Sequence, residues 1–176
     1  LKTNLEDVLI IKPTVFPDSR GFFLETYNKA RYQDFGIPVT FVQDNHSRSS
    51  KGVLRGLHFQ INNPQGKLVS CLRGSVFDVA VDINPNSPNY GEYFGIELSE
   101  HNQYQLWIPP GYAHGFYVLS DIADFNYKCT DYYFPGDQGG IIWNDKLINI
   151  EWPSKNPILS EKDSRNPGLE ELNDKK

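Results

Sequence analysis

The chain has 176 residues and a formal net charge of −5, with 39% hydrophobic and 22% charged residues. Such a length suits one domain with a single sizeable core, and the composition excludes a disordered chain. The acidic balance argues against general binding to nucleic acid or to anionic membranes, so any anionic ligand must be held by local cations. The N-terminus shows no signal-peptide pattern, and no apolar run approaches the ~20 residues of a membrane span. Cys71 and Cys129 are too few for a disulfide framework and suit a reducing, cytoplasmic setting. The absence of methionine points to a trimmed or processed start.

Leu5 to Pro17 reads as an edge strand, confined to a sheet rim by Pro13 and Pro17. Asp18 to Gly21 is a turn and Phe22 to Tyr27 a strand. Asn28 to Gly36 reads as a short helix, capped by Asn28 and stopped by Gly36. Phe41 to Ser47 alternates, placing Phe41, Gln43, Asn45 and Ser47 on one face. The two amides either edge a ladder or read the hydrogen-bonding edge of a heterocycle.

Gly52 to Lys67 is the richest stretch, holding Arg55, His58 and Lys67 in one strand and the turn after it. Strict alternation would put Arg55 and His58 on opposite faces. Gly56 lies between them, and a glycine inside a strand pattern often marks a bulge that re-aims side chains. Both then point into one cavity; the alternative is an exposed arginine and a core-edge histidine.

Leu68 to Arg73 and Val76 to Ile83 are strands joined at Gly74. Phe77, Val79, Val81 and Ile83 share a face of the second, leaving Asp78 and Asp82 opposite as solvent-facing or structural groups. After a loop at Asn84 to Tyr90, strands follow at Tyr93 to Leu98, Tyr104 to Ile108, Gly115 to Leu119 and Ala123 to Thr130. Ala123, Phe125, Tyr127 and Cys129 make the apolar face of the last, so Tyr127 is an inward phenol, serving either the core or a site. Leu169 to Leu172 is a terminal helical turn, and about 170–176 forms a frayed tail. This many short strands imply an all-β sandwich or barrel.

No dinucleotide or phosphate-loop motif, nucleophile elbow or zinc-spaced cysteine pair is present. Gly52 to Gln60 and Pro109 to His114 resemble the paired motifs of the cupin superfamily, whose fold is a jelly-roll barrel of short antiparallel strands. The metal-binding cupins carry more ligands there; two imidazoles alone are a poor divalent site, so no metal is expected.

A wider set of blocks is more specific: DSRGFFLETY (18–27), FVQDNHS (41–47), QGKLV (65–69), FDVAVDI (77–83), QLWIPPGYAHGF (105–116), YKCTDYY (127–133), IIWND (141–145) and LSEKD (159–163). In that order, over essentially the whole chain, they resemble the dTDP-4-dehydrorhamnose 3,5-epimerase family. The resemblance implies one cupin-like domain over 1–176. It also implies epimerisation at C3 and C5 of dTDP-4-dehydro-6-deoxy-D-glucose by proton abstraction beside the C4 ketone, without a cofactor. It assigns His58 as base, Asp163 as its partner, Lys67 as enolate stabiliser and Tyr127 as acid. Arg20, Glu25, Gln43, Asp44, Asn45, Arg55, Lys67, His114, Tyr133, Gln138 and Lys162 would bind substrate, with Tyr133 stacking on thymine. Alternation turns the Asp44 side chain away from that group. Gln138 stands where the family commonly has a glutamate. A homodimer with exchanged strands is implied as well. The competing readings are a C3-only epimerase of a related deoxysugar pathway and a non-catalytic or metal-binding cupin.

Overall fold

Period-two patterning makes the short strand the commonest regular element of the chain. The structure, a computed structural model, describes residues 1–37 and 40–173. Strands β1 (Leu9–Ile11), β2 (Val15–Asp18) and β3 (Gly21–Leu24) precede helix α1 (Lys29–Asp34). Next come β4 (Gln43–Ser50), β5 (Leu54–Gln60), β6 (Lys67–Arg73) and β7 (Ser75–Asp82). Then follow β8 (Tyr93–Ser99), β9 (Gln105–Ile108), β10 (Tyr112–Val118) and β11 (Ile122–Cys129). A 3-10 turn at Pro135–Asp137 leads into β12 (Gln138–Gly140), and α2 (Leu169–Asn173) comes last. The charged end beyond it, part of the expected tail, lies outside the described residues.

Two five-stranded antiparallel sheets, ordered β1-β9-β6-β11-β4 and β12-β5-β10-β7-β8, face one another as a cupin-type jelly roll. Val69, Cys71, Leu106, Ile108, Ala123 and Phe125 of the first sheet meet Val76, Ala80, Leu98, Phe116 and Val118 of the second. That core fills one end of the barrel and leaves the other hollow. Outside the first sheet, α1 lays Tyr32 on Leu68 and Trp107. The Asn28 side chain accepts the Arg31 N–H at 3.4 Å, so the expected cap is in place. Outside the second sheet, Ile141, Ile148 and Leu169 cover Leu57, Val79 and Val81.

Three expectations change. The N-terminal strand divides, because Pro13 lacks the N–H a continuous ladder needs. β1 then pairs with β9, while β2 pairs with β3 in a separate hairpin. The strand expected from Phe22 ends at Leu24, short of Tyr27. Asp78 and Asp82 are not solvent-facing: both faces of β7 are covered, one by the barrel interior and the other by the 141–152 segment. Asp82 is structural, accepting from the Asn84 N–H at 2.9 Å and from the Ser87 hydroxyl. β12 was not legible, since Gln138-Gly139-Gly140 carries no apolar alternation; it completes the second sheet beside β5.

Candidate active site

The hollow end of the barrel is a cavity of about 490 Å³ that opens into a second lobe of about 290 Å³. His58, Lys67, Tyr127, Tyr133 and Gln138 border both lobes. The expected bulge in β5 brings Arg55 and His58 together. His58 pairs with His114 and Arg55 with Phe116, so Gly56 and Leu57 together oppose Gly115 alone. Gly56 has φ +134°, and a Cβ there would lie 2.5 Å from the Gly115 Cα. Only glycine permits so close an approach. The extra residue rotates Arg55 into phase with His58, and both line the larger lobe.

The 3-10 turn at Asp163–Arg165 brings Asp163 beneath the barrel mouth, where its Oδ1 lies 2.6 Å from His58 Nε2. Nε2–H donates to that carboxylate, and among the described residues nothing meets Nδ1, which is left as the proton acceptor. Asp163 is buried, and burial alone would raise its pKa. The His58 hydrogen bond and charge, with the Ser160 hydroxyl and Gly56 N–H, outweigh burial and hold the carboxyl below the usual range.

Lys67 and Tyr127 come from β6 and β11 in the facing sheet. Inward parity follows from their neighbours: Lys67 shares a face with Val69 and Cys71, and Tyr127 with Phe125. Neither the Lys67 ammonium nor the Tyr127 hydroxyl meets a hydrogen-bond partner among the described residues. Burial lowers the Lys67 pKa, against the pull of Cys129 and the Asp78 carboxylate. Burial likewise raises the Tyr127 phenol above 10.0, reinforced by Cys129 and opposed by Arg55. A base on one wall thus faces a phenol and a buried amine on the other, neither with a hydrogen-bond partner among the described residues.

His114 closes the floor of the larger lobe, its Nε2 2.6 Å from Asp78 Oδ1 and its ring stacked on Phe125 at 5.9 Å. Gln43 and Asn45 line the smaller lobe, joined by a 3.0 Å hydrogen bond. Tyr133, Gln138 and Lys162 form the rim of the larger one. Asp44 faces outward as expected, paired with Lys128 at 3.0 Å.

Arg20 and Glu25 are not brought to this cavity. Arg20 sits on the exposed β2–β3 turn, 2.6 Å from Asp18, and Glu25 pairs with Arg31 at 3.2 Å.

Sequence reasoning passed over three supporting residues. Asp78 holds His114; alternation along β7 gave this aspartate the polar face, and only the facing sheet shows that face to be the barrel interior. Ser49 accepts from Arg55 Nε at 3.0 Å and aims the guanidinium. Ser160 accepts the Asp163 N–H at 3.0 Å. Neither serine stands out from sequence. Among the described residues no three His, Cys, Asp or Glu side chains converge to hold a metal ion.

The profile of the dTDP-4-dehydrorhamnose 3,5-epimerase family matches residues 2–171. A dTDP-4-dehydrorhamnose 3,5-epimerase of Escherichia coli K12 is 58% identical, the match covering 98% of this chain and 95% of that protein. The crystal structure of a dTDP-6-deoxy-D-glucose-3,5-epimerase from Legionella pneumophila, in complex with dTDP-4-keto-L-rhamnose, superposes with a TM-score of 0.94. It is 51% identical, over 97% of this chain and 92% of that one. A 3'-monoepimerase from Streptomyces bikiniensis in complex with dTDP-quinovose has a TM-score of 0.91 at 29% identity, over 97% and 89% of the two chains.

Proposed function

The chain belongs to the dTDP-4-dehydrorhamnose 3,5-epimerase family, and on that premise we propose how its cavity inverts C3 and C5 of dTDP-4-dehydro-6-deoxy-D-glucose to give dTDP-4-dehydro-L-rhamnose. The C4 ketone acidifies the hydrogens at both carbons. His58 removes a proton, and Asp163 stabilises the imidazolium that forms. The electron pair moves onto the C4 oxygen, where Lys67 meets the enolate. A preorganised donor of that kind contributes about 2.7–4 kcal/mol to the transition state. Tyr127 then delivers a proton from the other wall, inverting the centre. Exchange with solvent returns a proton to Tyr127 and takes one from His58.

One observation carries this reading: base and acid stand on facing sheets of one cavity, each without a competing partner on its working atom. Arg55 and Lys162 offer charge to the diphosphate, and Gln43, Asn45 and Tyr133 offer amides and a ring to the thymine. Deuterium incorporation tests the chemistry. In D2O the protein should place deuterium at C3 and C5 of the ketosugar nucleotide, and label at neither position would refute the assignment. Label confined to C3 would select the monoepimerase reading, against which the 58% identity to a double epimerase stands.

The active form in this proposal is a homodimer. The β2–β3 hairpin is a two-stranded sheet of its own, joined to neither five-stranded sheet, and Phe16, Phe22 and Phe23 on it are 57%, 58% and 69% exposed. So large an apolar face marks an interaction site. Exchange of hairpins between two copies would cover it and carry Arg20 and Glu25 to the partner's cavity. No helix among the described residues is long and apolar enough to cross a membrane. The buried free thiols Cys71 and Cys129 support a cytoplasmic site of action.

A further inference from the structure

Gln138 does more than line the cavity wall. Its side-chain oxygen accepts from two donors at once, the Tyr133 hydroxyl at 2.7 Å and Lys162 Nζ at 2.8 Å. An ammonium can only donate, so the atom facing Lys162 must be the amide oxygen. Tyr133 is held at a second point, its backbone N–H donating to Gln43 Oε1 at 2.9 Å. Tyr133 is 45% exposed, yet its hydroxyl and its backbone are both tied.

Two consequences follow from the choice of an amide here. A ring already fixed loses little rotamer freedom when a base stacks on it, which favours binding. A neutral partner also leaves the Lys162 charge uncancelled, whereas a carboxylate in the same place would form an ion pair with it. In a chain of net charge −5, an uncancelled cation at the cavity rim matters to an anionic ligand.

We infer that Gln138 is the positioning residue for the nucleotide: a neutral strap that holds Tyr133 as a stacking platform and keeps the Lys162 charge free for the diphosphate. The inference rests on the nucleotide-sugar reading above and deepens it. Titration calorimetry with dTDP, beside steady-state epimerisation, tests it on the full chain. Gln138→Glu keeps the acceptor and adds a charge. It should weaken dTDP about tenfold at low salt, with the gap narrowing as ionic strength rises. Gln138→Ala should raise KM about tenfold while kcat stays within about twofold, a split that general loosening of the fold would not produce. Tyr133→Phe should add nothing further in the Gln138→Ala background, because the hydroxyl then has no partner to lose.

Unchanged dTDP affinity in Gln138→Glu at low salt, or simple additivity of Tyr133→Phe and Gln138→Ala, would overturn the strap. dTDP binding is read without turnover. A wild type that binds dTDP but exchanges no deuterium would therefore sink the epimerase reading, while the titrations still decide the role of Gln138.

Discussion

A histidine works as a directed base only when its second nitrogen is committed elsewhere, and Asp163 commits it at 2.6 Å. Asp163→Asn preserves the shape but offers no charge to the imidazolium and can impose the wrong tautomer. By analogy with the triad aspartate, kcat should fall about 10⁴-fold with KM little changed, measured at saturating substrate. Lys67 and Tyr127 differ in how their burial acts. It lowers the ammonium from 10.5, toward the working range, and raises the phenol from 10.0, away from it. The alkaline limb of kcat/KM should therefore report Lys67. Lys67→Arg should move that limb upward, whereas Tyr127→Phe should lower the plateau and leave the limb in place. The reverse pattern would exchange their roles.

Strands set which of these groups meet. β4 is an edge strand tied to β11 along eight register pairs, and Asp124 opposite Arg48 is one of them. Arg48 hydrogen bonding, with help from His46 and against partial burial, holds the Asp124 carboxyl down to about 2, below the ordinary 3.8. A depressed carboxyl stabilises the fold above its unfolded pKa, and that contribution disappears as pH falls through the folded value. Wild type should therefore melt above Asp124→Asn at pH 5, and the gap should close between about pH 4 and pH 2. The β2–β3 hairpin makes the second prediction at this scale. Replacing Phe16, Phe22 and Phe23 by serine should shift the light-scattering mass from two chains to one and remove activity, since Arg20 would no longer reach a cavity. A wild type that is monomeric at working concentration would rule out the exchange. The hairpin also shows where sequence reasoning stops. Alternation and Gly56 made the β5 bulge legible, because both signals are local. That Arg20 and Glu25 lie away from their own cavity follows from the break at Pro13, which is not visible as periodicity. β12 escaped for a different reason: it is held by backbone pairing to β5 and buries almost no side chain of its own.

At the scale of the whole molecule, packing and chemistry share one barrel, the apolar end supporting the polar end. Phe125 is the joint. Fully buried, it stacks on Phe116 at 4.2 Å and on His114 at 5.9 Å, so the last layer of the core is also the floor of the cavity. The inward parity of Ala123, Phe125 and Tyr127 could be read from the sequence, but the contact between Phe125 and His114 could not, since it joins β11 to the opposite sheet. Phe125→Ala should cost about 3–5 kcal/mol through lost burial and the void left behind. For a chain of this size that is on the order of 10 °C in melting temperature. Phe125→Leu should retain most of the stability but not the flat surface under His114. If the two ends of the barrel are coupled through this ring, the leucine variant will lose kcat/KM out of proportion to its small loss of Tm. If they are independent, activity and stability will fall together in alanine and remain together in leucine. Calorimetry and initial rates on the two variants separate these cases, and the shared wall favours the first.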